Sequence, residues 1–426
     1  MSGSVPAGNR THAAHAAAPG RSRWRGRTGG RAGLALLALL AAALLMVAAV
    51  LDRAVVHALV FHARSYLDLT FLYWPWSKLL HAAGAGALYD PAALSAFQHR
   101  LDPGFPEYAP FAYPPSFLLL IWPLALMSRI DAYLLWVGGT FALFLWACWH
   151  RAWGGRIAFF AAVAPPTVAN LLYAQSGFLT GALLIGGCRL CVRRPVLAGV
   201  LFGLLSVKPQ FGILVPVALI AAGAWRAAVA ATLTALALAA TSGAAFGWPV
   251  WLGLPHALLG LSRFVGASAN LDHFSPTVAA GARLLGASGS VAHAAQAVAA
   301  LVAAACVWGA FRGGFTRRAT AVLLIATLLA TPYAFAYDLP MVGYAVLLFV
   351  LDRTDAGTGF AIPELAVLLL VLSAPLLMIF PPLPLPWGSL ATGLLLALIA
   401  RRWHPRPVRG GGQPGAGTLR GFSHSW

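Results

Sequence analysis

The chain has 426 residues, of which 60% are hydrophobic and only 9% are charged. Because a soluble protein carries about 25% charged residues, this composition excludes a soluble enzyme, with or without a single membrane anchor. Apolar runs close to spanning length recur from residue 34 to residue 400. At about 20 residues per crossing the chain has room for roughly twelve helices, and we predict an all-α polytopic membrane protein.

The net charge of +18 is concentrated at the two ends of the chain. Residues 1–32 hold six arginines and no acid, and residues 401–426 hold five arginines and no acid. Both segments are predicted to be disordered cytoplasmic tails, held there by the positive-inside rule and in contact with anionic membrane lipids. No nucleic-acid partner is expected for them.

The first apolar run, residues 34–51, predicts a retained helix rather than a cleaved signal peptide. It is followed by the longest region without a spanning run, residues 52–112, which holds five of the eleven acids. We predict that this region is a large first extracytoplasmic loop. Its amphipathic stretches, such as residues 67–81, are expected to lie along the membrane surface.

Arginines at the breaks between apolar runs predict the remaining spans. These are 113–127, 132–149, 175–190, 196–206, 211–224, 226–246 and 291–311, with an outer loop from 247 to about 290 and three or four further spans before residue 401. If Arg193 and Arg194 are cytoplasmic, one candidate before them does not cross. The segment 157–172, which contains Pro165 and Pro166, is predicted to be a re-entrant piece.

Ionisable residues beside predicted spans are costly to place there and therefore predict function. Asp68 stands in an aromatic and apolar stretch soon after the first helix, a setting that suits a carboxylate to accept a proton. The alternative is that Asp68 caps a helix or pairs with Arg64.

Lys208 is one of only two lysines and stands in the hairpin sequence Val-Lys-Pro-Gln, residues 207–210, between two apolar runs. It is predicted to hold a phosphate at the level of the lipid headgroups. The alternative is a snorkelling lysine that marks the end of a span.

Asp338 ends the sequence Thr-Pro-Tyr-Ala-Phe-Ala-Tyr-Asp at another outer helix end. It is predicted either to orient a sugar hydroxyl or a basic partner, or to be solvated within an interfacial aromatic belt. A polar cluster in the outer loop is predicted either to serve the same cavity or to be an ordinary solvated loop. Its members are Arg263, Asn270, Asp272 and His273.

Several catalytic motifs are absent from the sequence. There is no P-loop, no dinucleotide-binding glycine motif after a strand, no His-Glu-x-x-His and no Gly-x-Ser-x-Gly. Cys188 and Cys191 lack a second ligand pair at the spacing of a metal site. We therefore predict no metal site and no cofactor.

One ordered set of segments runs through the chain. It consists of Asp68 with Tyr73, Ala87-Leu-Tyr-Asp90, Tyr113-Pro-Pro115, Pro166 with Asn170 and Gln175, Ser206-Val-Lys-Pro-Gln210 with Trp225-Arg226, and Thr331-Pro-Tyr with Tyr337-Asp-Leu339. In this order the set resembles glycosyltransferase family 87, a group of GT-C membrane enzymes that use polyprenyl-phosphate sugars. The resemblance covers roughly residues 33–400.

The resemblance implies a GT-C helical bundle in a bacterial plasma membrane, with the active site at the extracytoplasmic face. It implies Asp68 as catalytic base and Lys208 near the donor phosphate, where Arg64 and Arg263 are expected to help offset charge. The substrate-binding residues expected in the same site are Tyr73, Asn170, Gln175, Gln210, His273, Tyr337 and Asp338.

The implied reaction moves a mannose-like sugar, or another hexose or pentose, from a polyprenyl-phosphate donor to an envelope lipid or glycan. A single displacement predicts inversion at the anomeric carbon. One carboxylate suffices because phosphate is already a good leaving group, whereas a glycosidase uses two. The alternatives are a multi-span transporter or flippase of a lipid-linked substrate and a non-catalytic scaffold.

Overall fold

The computed structural model describes residues 72–101, 110–149, 156–267, 269–379 and 384–402, and these residues form helices and turns without a strand. The α-helices are α1 (Tyr73–Ala83), α2 (Gly86–Tyr89), α3 (Pro91–Leu101), α4 (Leu118–Ile121), α5 (Arg129–Cys148), α6 (Arg156–Val163), α7 (Pro165–Tyr173), α8 (Gly177–Leu190), α9 (Pro195–Leu204), α10 (Val215–Ala221), α11 (Trp225–Phe246), α12 (Val250–Ala267), α13 (Ala269–His273), α14 (Val278–Leu284), α15 (Gly289–Phe311), α16 (Arg317–Ala330), α17 (Pro340–Asp355), α18 (Ile362–Ile379) and α19 (Trp387–Arg402). The prediction of an all-helical chain is confirmed for the described residues.

The centre of the bundle consists of α8, α16 and α17, which are buried on nearly every face. A helix that is apolar all round requires such a position. Around it lie helices such as α5, α11 and α15, which expose Leu134, Leu233 and Leu301. Large exposed leucines on long helices are expected where lipid takes the place of water, and they support an integral membrane protein.

Four of the described helices are long and apolar enough to cross a bilayer, namely α5, α11, α15 and α18, and shorter apolar helices accompany them. A polytopic chain is therefore supported. The total of about twelve crossings stays a prediction, and the first helix and both tails lie outside the described residues.

The two ends of the bundle differ in composition. At one end, here called the tyrosine end, the rings of Tyr73 and Tyr113 lie 6.0 Å apart, and those of Tyr173 and Tyr337 lie 5.9 Å apart. The other end, here called the arginine end, holds the last turns of α8, α15, α17 and α19 and the first turns of α11 and α16. Its arginines are Arg189, Arg193, Arg194, Arg226, Arg312, Arg317, Arg318, Arg353, Arg401 and Arg402.

Two contacts fix the direction of α5. Near its start, the Tyr133 hydroxyl donates a hydrogen bond of 3.2 Å to the Leu171 carbonyl, close to the end of α7. At its other end, the Arg189 guanidinium donates to the Ala147 carbonyl. The chain therefore travels from the tyrosine end to the arginine end in α5, and at Leu171 it is at the tyrosine end again.

Two assignments made from the sequence differ from this path. The predicted re-entrant piece 157–172 lies on the return path; its helix is broken at Ala164, whose extended backbone precedes Pro165 at the first turn of α7. The predicted span 113–127 instead starts and ends beside α1: Tyr113 contacts Tyr73, and the Met127 carbonyl accepts a hydrogen bond from the Trp74 indole. It consists of α4 between two short 3-10 helices and does not run the length of the bundle.

The predicted outer loop from 247 to about 290 is also more ordered than expected. It forms α12, α13 and α14, and α12 combines a cavity-facing side with exposed residues such as Leu252 and Leu259. An amphipathic helix of this kind is suited to the surface of a membrane.

Candidate active site

A buried ion pair joins two segments that are 130 residues apart in the sequence. The Lys208 Nζ lies 2.7 Å from Asp338 Oδ1, and the two side chains are 6% and 1% exposed. Lys208 follows the 3-10 turn Leu205–Val207 after α9, where Pro209 starts the next turn; Asp338 lies in the 3-10 turn Ala336–Asp338 before α17. Each charge was singled out in the sequence because it stands alone among apolar residues.

The surroundings of the pair explain its electrostatics. The second carboxylate oxygen, Asp338 Oδ2, accepts a hydrogen bond of 3.0 Å from the Phe335 backbone N–H. Burial raises the pKa of the Asp338 carboxyl, and the Lys208 ammonium opposes that rise. The ammonium also lies 4.7 Å from the centre of the Phe211 ring and 5.6 Å from that of Tyr337, within the range of cation–π attraction.

The position of Asp338 depends on a glycine at the start of α8. A Cβ on Gly177 would lie 2.0 Å from the Tyr337 carbonyl oxygen and 3.2 Å from the Asp338 Cα. Because only a residue without a side chain permits this approach, Gly177 lets the turn that carries Asp338 rest directly on α8.

Both charges line a cavity of about 250 Å³ at the tyrosine end. Its wall consists of Leu72, Trp76, Pro110, Ala112, Tyr113, Tyr173, Gln175, Lys208, Gln210, Leu261, Phe264, Val265, Leu271, Phe274, Tyr333, Phe335, Tyr337 and Asp338. Most of these side chains are apolar or aromatic, and Lys208 is the only cation among the described lining residues. Such a wall suits a ligand that is largely apolar and carries a small number of polar groups.

A hydrogen-bonded row of side chains supports one part of the wall. The Tyr73 hydroxyl donates to Gln175 Oε1 at 2.7 Å, and it lies 3.1 Å from the Tyr113 hydroxyl. The Asn170 amide, oriented to satisfy both of its polar atoms, donates to the Gln175 carbonyl at 3.0 Å and accepts from the Phe178 N–H at 2.9 Å. Asn170 therefore holds the turn that places Gln175 in the wall.

The structure brings together some of the predicted site residues. Lys208, Gln175, Gln210, Tyr337 and Asp338 all line the cavity. The alternative that Lys208 snorkels and the alternative that Asp338 is solvated are both wrong, because both side chains are buried. Of the roles predicted for Asp338, the structure shows the basic partner.

Other predicted residues lie beside the cavity. Tyr73 and Asn170 are fully buried behind the wall, and Arg263 is exposed on α12 next to lining residues. His273 is half-buried and is not a lining residue, while Asp272 forms an ion pair with Arg283. Asp68 and Arg64 lie outside the described residues, as does the side chain of Asn270.

The sequence does not predict most of the aromatic residues that line the cavity. The sequence does not mark Trp76, Tyr173, Phe274 or Phe335 as site residues, and it marks Tyr113 only through the family resemblance. Aromatic residues are frequent throughout the chain, at 11%, so an aromatic residue by itself does not distinguish a cavity from a lipid-facing surface. The density of aromatic residues around 73–76 and 333–337 is the available signal. The first group falls in the stretch 67–81 that is predicted to lie along the membrane surface, and for the second group an interfacial belt is one of the two predicted alternatives.

The described residues contain no group of three or more His, Cys, Asp or Glu side chains arranged to hold a metal ion. What this part of the chain offers a ligand is one paired cation, one carboxylate, several tyrosine hydroxyls and two glutamine amides in an apolar setting. This arrangement suits an amphiphile with a single anionic group.

Comparison with known proteins identifies one relationship. A family model described as glycosyltransferase family 87 matches residues 111–332, which is just over half of the chain and includes Gln175 and Lys208. No curated protein and no solved structure matches the chain.

Proposed function

We propose a donor, an orientation and a mechanism for this chain, which belongs to glycosyltransferase family 87 and is therefore a membrane glycosyltransferase. The donor is a polyprenyl-phosphate sugar, and the acceptor is a lipid or glycan of the cell envelope. Transfer takes place in the cavity at the tyrosine end of the bundle. The observation that carries this proposal is the buried Lys208–Asp338 ion pair in an otherwise largely apolar cavity wall.

The orientation follows from the arginines. The ten arginines of the arginine end stand at helix ends and in the turns beside them, and cytoplasmic loops are enriched in Lys and Arg. The arginine end then faces the cytoplasm, and the cavity opens on the extracytoplasmic side of the plasma membrane. Both termini of the chain are expected in the cytoplasm.

The charge of the cavity favours a lipid-linked donor over a nucleotide sugar. A polyprenyl-phosphate sugar is a phosphodiester with one negative charge, whereas a nucleotide sugar carries a diphosphate. Among the described lining residues one ammonium is available, and Asp338 already neutralises part of its charge. The apolar wall and the exposed leucines around the bundle suit a donor that enters sideways from the bilayer.

The proposed reaction is a single inverting displacement. The acceptor oxygen forms a bond to the anomeric carbon while the bond from that carbon to the phosphate oxygen breaks, and the electron pair leaves with the polyprenyl phosphate. Asp68 takes the proton of the acceptor hydroxyl as general base. Lys208, with Arg64 and Arg263, offsets the charge that develops on the phosphate.

The remaining polar residues are assigned to the substrates. Gln175, Gln210 and Tyr337 present polar groups at the cavity wall and are proposed to contact the sugar or the acceptor. Tyr73 and Asn170 act indirectly, because they hold Gln175. His273, which lies beside the cavity, is also proposed to bind substrate. Asp338 is proposed to act through its ion pair with Lys208.

The proposal is tested with purified protein in liposomes, labelled polyprenyl-phosphate sugars and an envelope lipid and glycan extract as acceptor. Transfer is expected from at least one such donor and from no nucleotide sugar. Asp68→Asn is expected to lower the rate by about 10²- to 10⁴-fold, the usual contribution of a general base. Asp90→Asn is the matched control, because Asp90 is exposed and accepts a hydrogen bond from the Ala92 N–H at the start of α3.

Two results would contradict the proposal separately. Transfer from a nucleotide sugar without any lipid donor would remove the proposed donor. Full activity of Asp68→Asn would remove the proposed base while leaving the donor in place.

A further inference from the structure

Trp76 is a lining residue of the cavity whose indole N–H has no acceptor among the described residues. The side chain is 3% exposed, so water does not satisfy this donor at the protein surface. A buried donor without a partner is destabilising, because the hydrogen bond that it makes to water in the unfolded chain is not replaced. In a cavity wall such a donor indicates an acceptor that arrives with the ligand.

The neighbouring Tyr113 supplies the complementary group. Because the Tyr73 hydroxyl donates its only proton to Gln175 Oε1, the contact of 3.1 Å between the two tyrosines requires Tyr113 to donate to Tyr73. The Tyr113 oxygen therefore keeps its lone pairs as acceptors. Tyr113 is half-buried and lines the same cavity.

The two side chains are neighbours in the wall, since the ring centres of Trp76 and Tyr113 lie 5.9 Å apart. One donor next to one acceptor is the pattern that a hydroxyl group satisfies, because a hydroxyl accepts one hydrogen bond and donates another. A phosphate diester, which only accepts, would use the indole alone. We infer that Trp76 and Tyr113 bind a hydroxyl group of the donor sugar, separately from the phosphate at Lys208.

This inference rests on the polyprenyl-phosphate donor proposed above and assigns its sugar to a wall built by α1 and the segment before α4. Binding of two probes distinguishes sugar recognition from phosphate recognition. The probes are labelled polyprenyl phosphate and the labelled polyprenyl-phosphate sugar that the wild type transfers, each titrated against protein in lipid nanodiscs.

Trp76→Phe keeps an aromatic ring and removes the N–H. It is expected to weaken binding of the polyprenyl-phosphate sugar about three- to tenfold, the effect of one neutral hydrogen bond, and to leave binding of polyprenyl phosphate unchanged. Tyr113→Phe is expected to do the same through loss of the acceptor. Lys208→Met should weaken binding of both probes.

Trp136→Phe is a closely matched control. Trp136 is also buried, its indole N–H also lacks a described partner, and its ring lies 4.7 Å from that of Tyr73, but it does not line the cavity. Neither probe should respond to this change. If Trp76→Phe and Tyr113→Phe alter both probes equally, or alter neither, the inference is overturned while the donor stands. If the wild type binds and transfers no polyprenyl-phosphate sugar, the proposed donor fails first.

Discussion

Ion pairs of equal length occur at both ends of the bundle, in different surroundings. Lys208–Asp338 at the tyrosine end and Arg317–Asp355 at the arginine end both have a nitrogen–oxygen distance of 2.7 Å. The first pair is 6% and 1% exposed, whereas the second is 18% and 34% exposed. The second pair, which is partly exposed to solvent, links the start of α16 to the end of α17, and pairs near the surface contribute about 0–1 kcal/mol.

The buried pair requires a different explanation. Removing two charges from water costs several kcal/mol per ion, and their mutual attraction does not always offset this cost. An apolar pair would hold the two segments together at lower cost. A ligand that requires the positive charge would explain a lysine in the wall of a cavity, and the comparison of the two pairs offers a test of that proposal.

The largest expected effect comes from removing one member of each pair. Lys208→Met leaves the Asp338 carboxylate buried without its cation, and we expect a loss of about 3–5 kcal/mol in unfolding free energy. Arg317→Met leaves Asp355 partly exposed and should cost no more than about 1 kcal/mol. Unfolding of both variants in detergent micelles measures the difference. Equal losses would show that the two pairs are energetically alike.

A smaller effect is expected from Gly177→Ala. The added Cβ would lie 2.0 Å from the Tyr337 carbonyl and would push the turn that holds Asp338 away from α8. Overpacking of this kind costs about 1–3 kcal/mol. We expect sugar transfer to fall by up to about 100-fold, which is the effect of a misplacement of about 1 Å in a positioned group.

Gly139→Ala is the control for that change. Gly139 lies in α5 with open space around the position of a Cβ, and alanine is the better helix former. Its stability and its transfer rate should match or exceed those of the wild type. A Gly177→Ala variant that behaves like Gly139→Ala would show that Asp338 does not need the close contact with α8.

The sequence was sufficient to predict the helical class and to indicate two charged residues for attention, and the physical reason is clear. Lys208 and Asp338 stand out because ionisable residues are rare in apolar segments, and this signal is local. Their pairing is not local, since it joins turns that are 130 residues apart. No feature of either segment alone indicates the other as its partner.

The path of the chain and the aromatic wall were harder to predict. The segment 113–127 is as apolar as a span, but its helices are short, with prolines at the first turn of both 3-10 helices, and they return to α1. Trp76 and Tyr113 are of the same residue types as the aromatic residues that face lipid, and they differ from those residues only in where they lie in the fold. Hydropathy reports burial in apolar surroundings and does not distinguish a cavity wall from the bilayer.

The smallest expected change in stability comes from replacing the whole buried pair. Lys208→Met combined with Asp338→Leu removes both charges and fills the site with apolar side chains, a substitution that is often neutral or stabilising by about 1–4 kcal/mol. We expect the double variant to regain the unfolding free energy lost in Lys208→Met. Sugar transfer is expected to be abolished in Lys208→Met and in the double variant alike, because both lack the ammonium that is proposed to offset the phosphate charge. Recovered stability without recovered transfer would show that the fold does not need the charges and the reaction does. Recovered transfer would instead show that the pair is a structural feature, like the one at the arginine end.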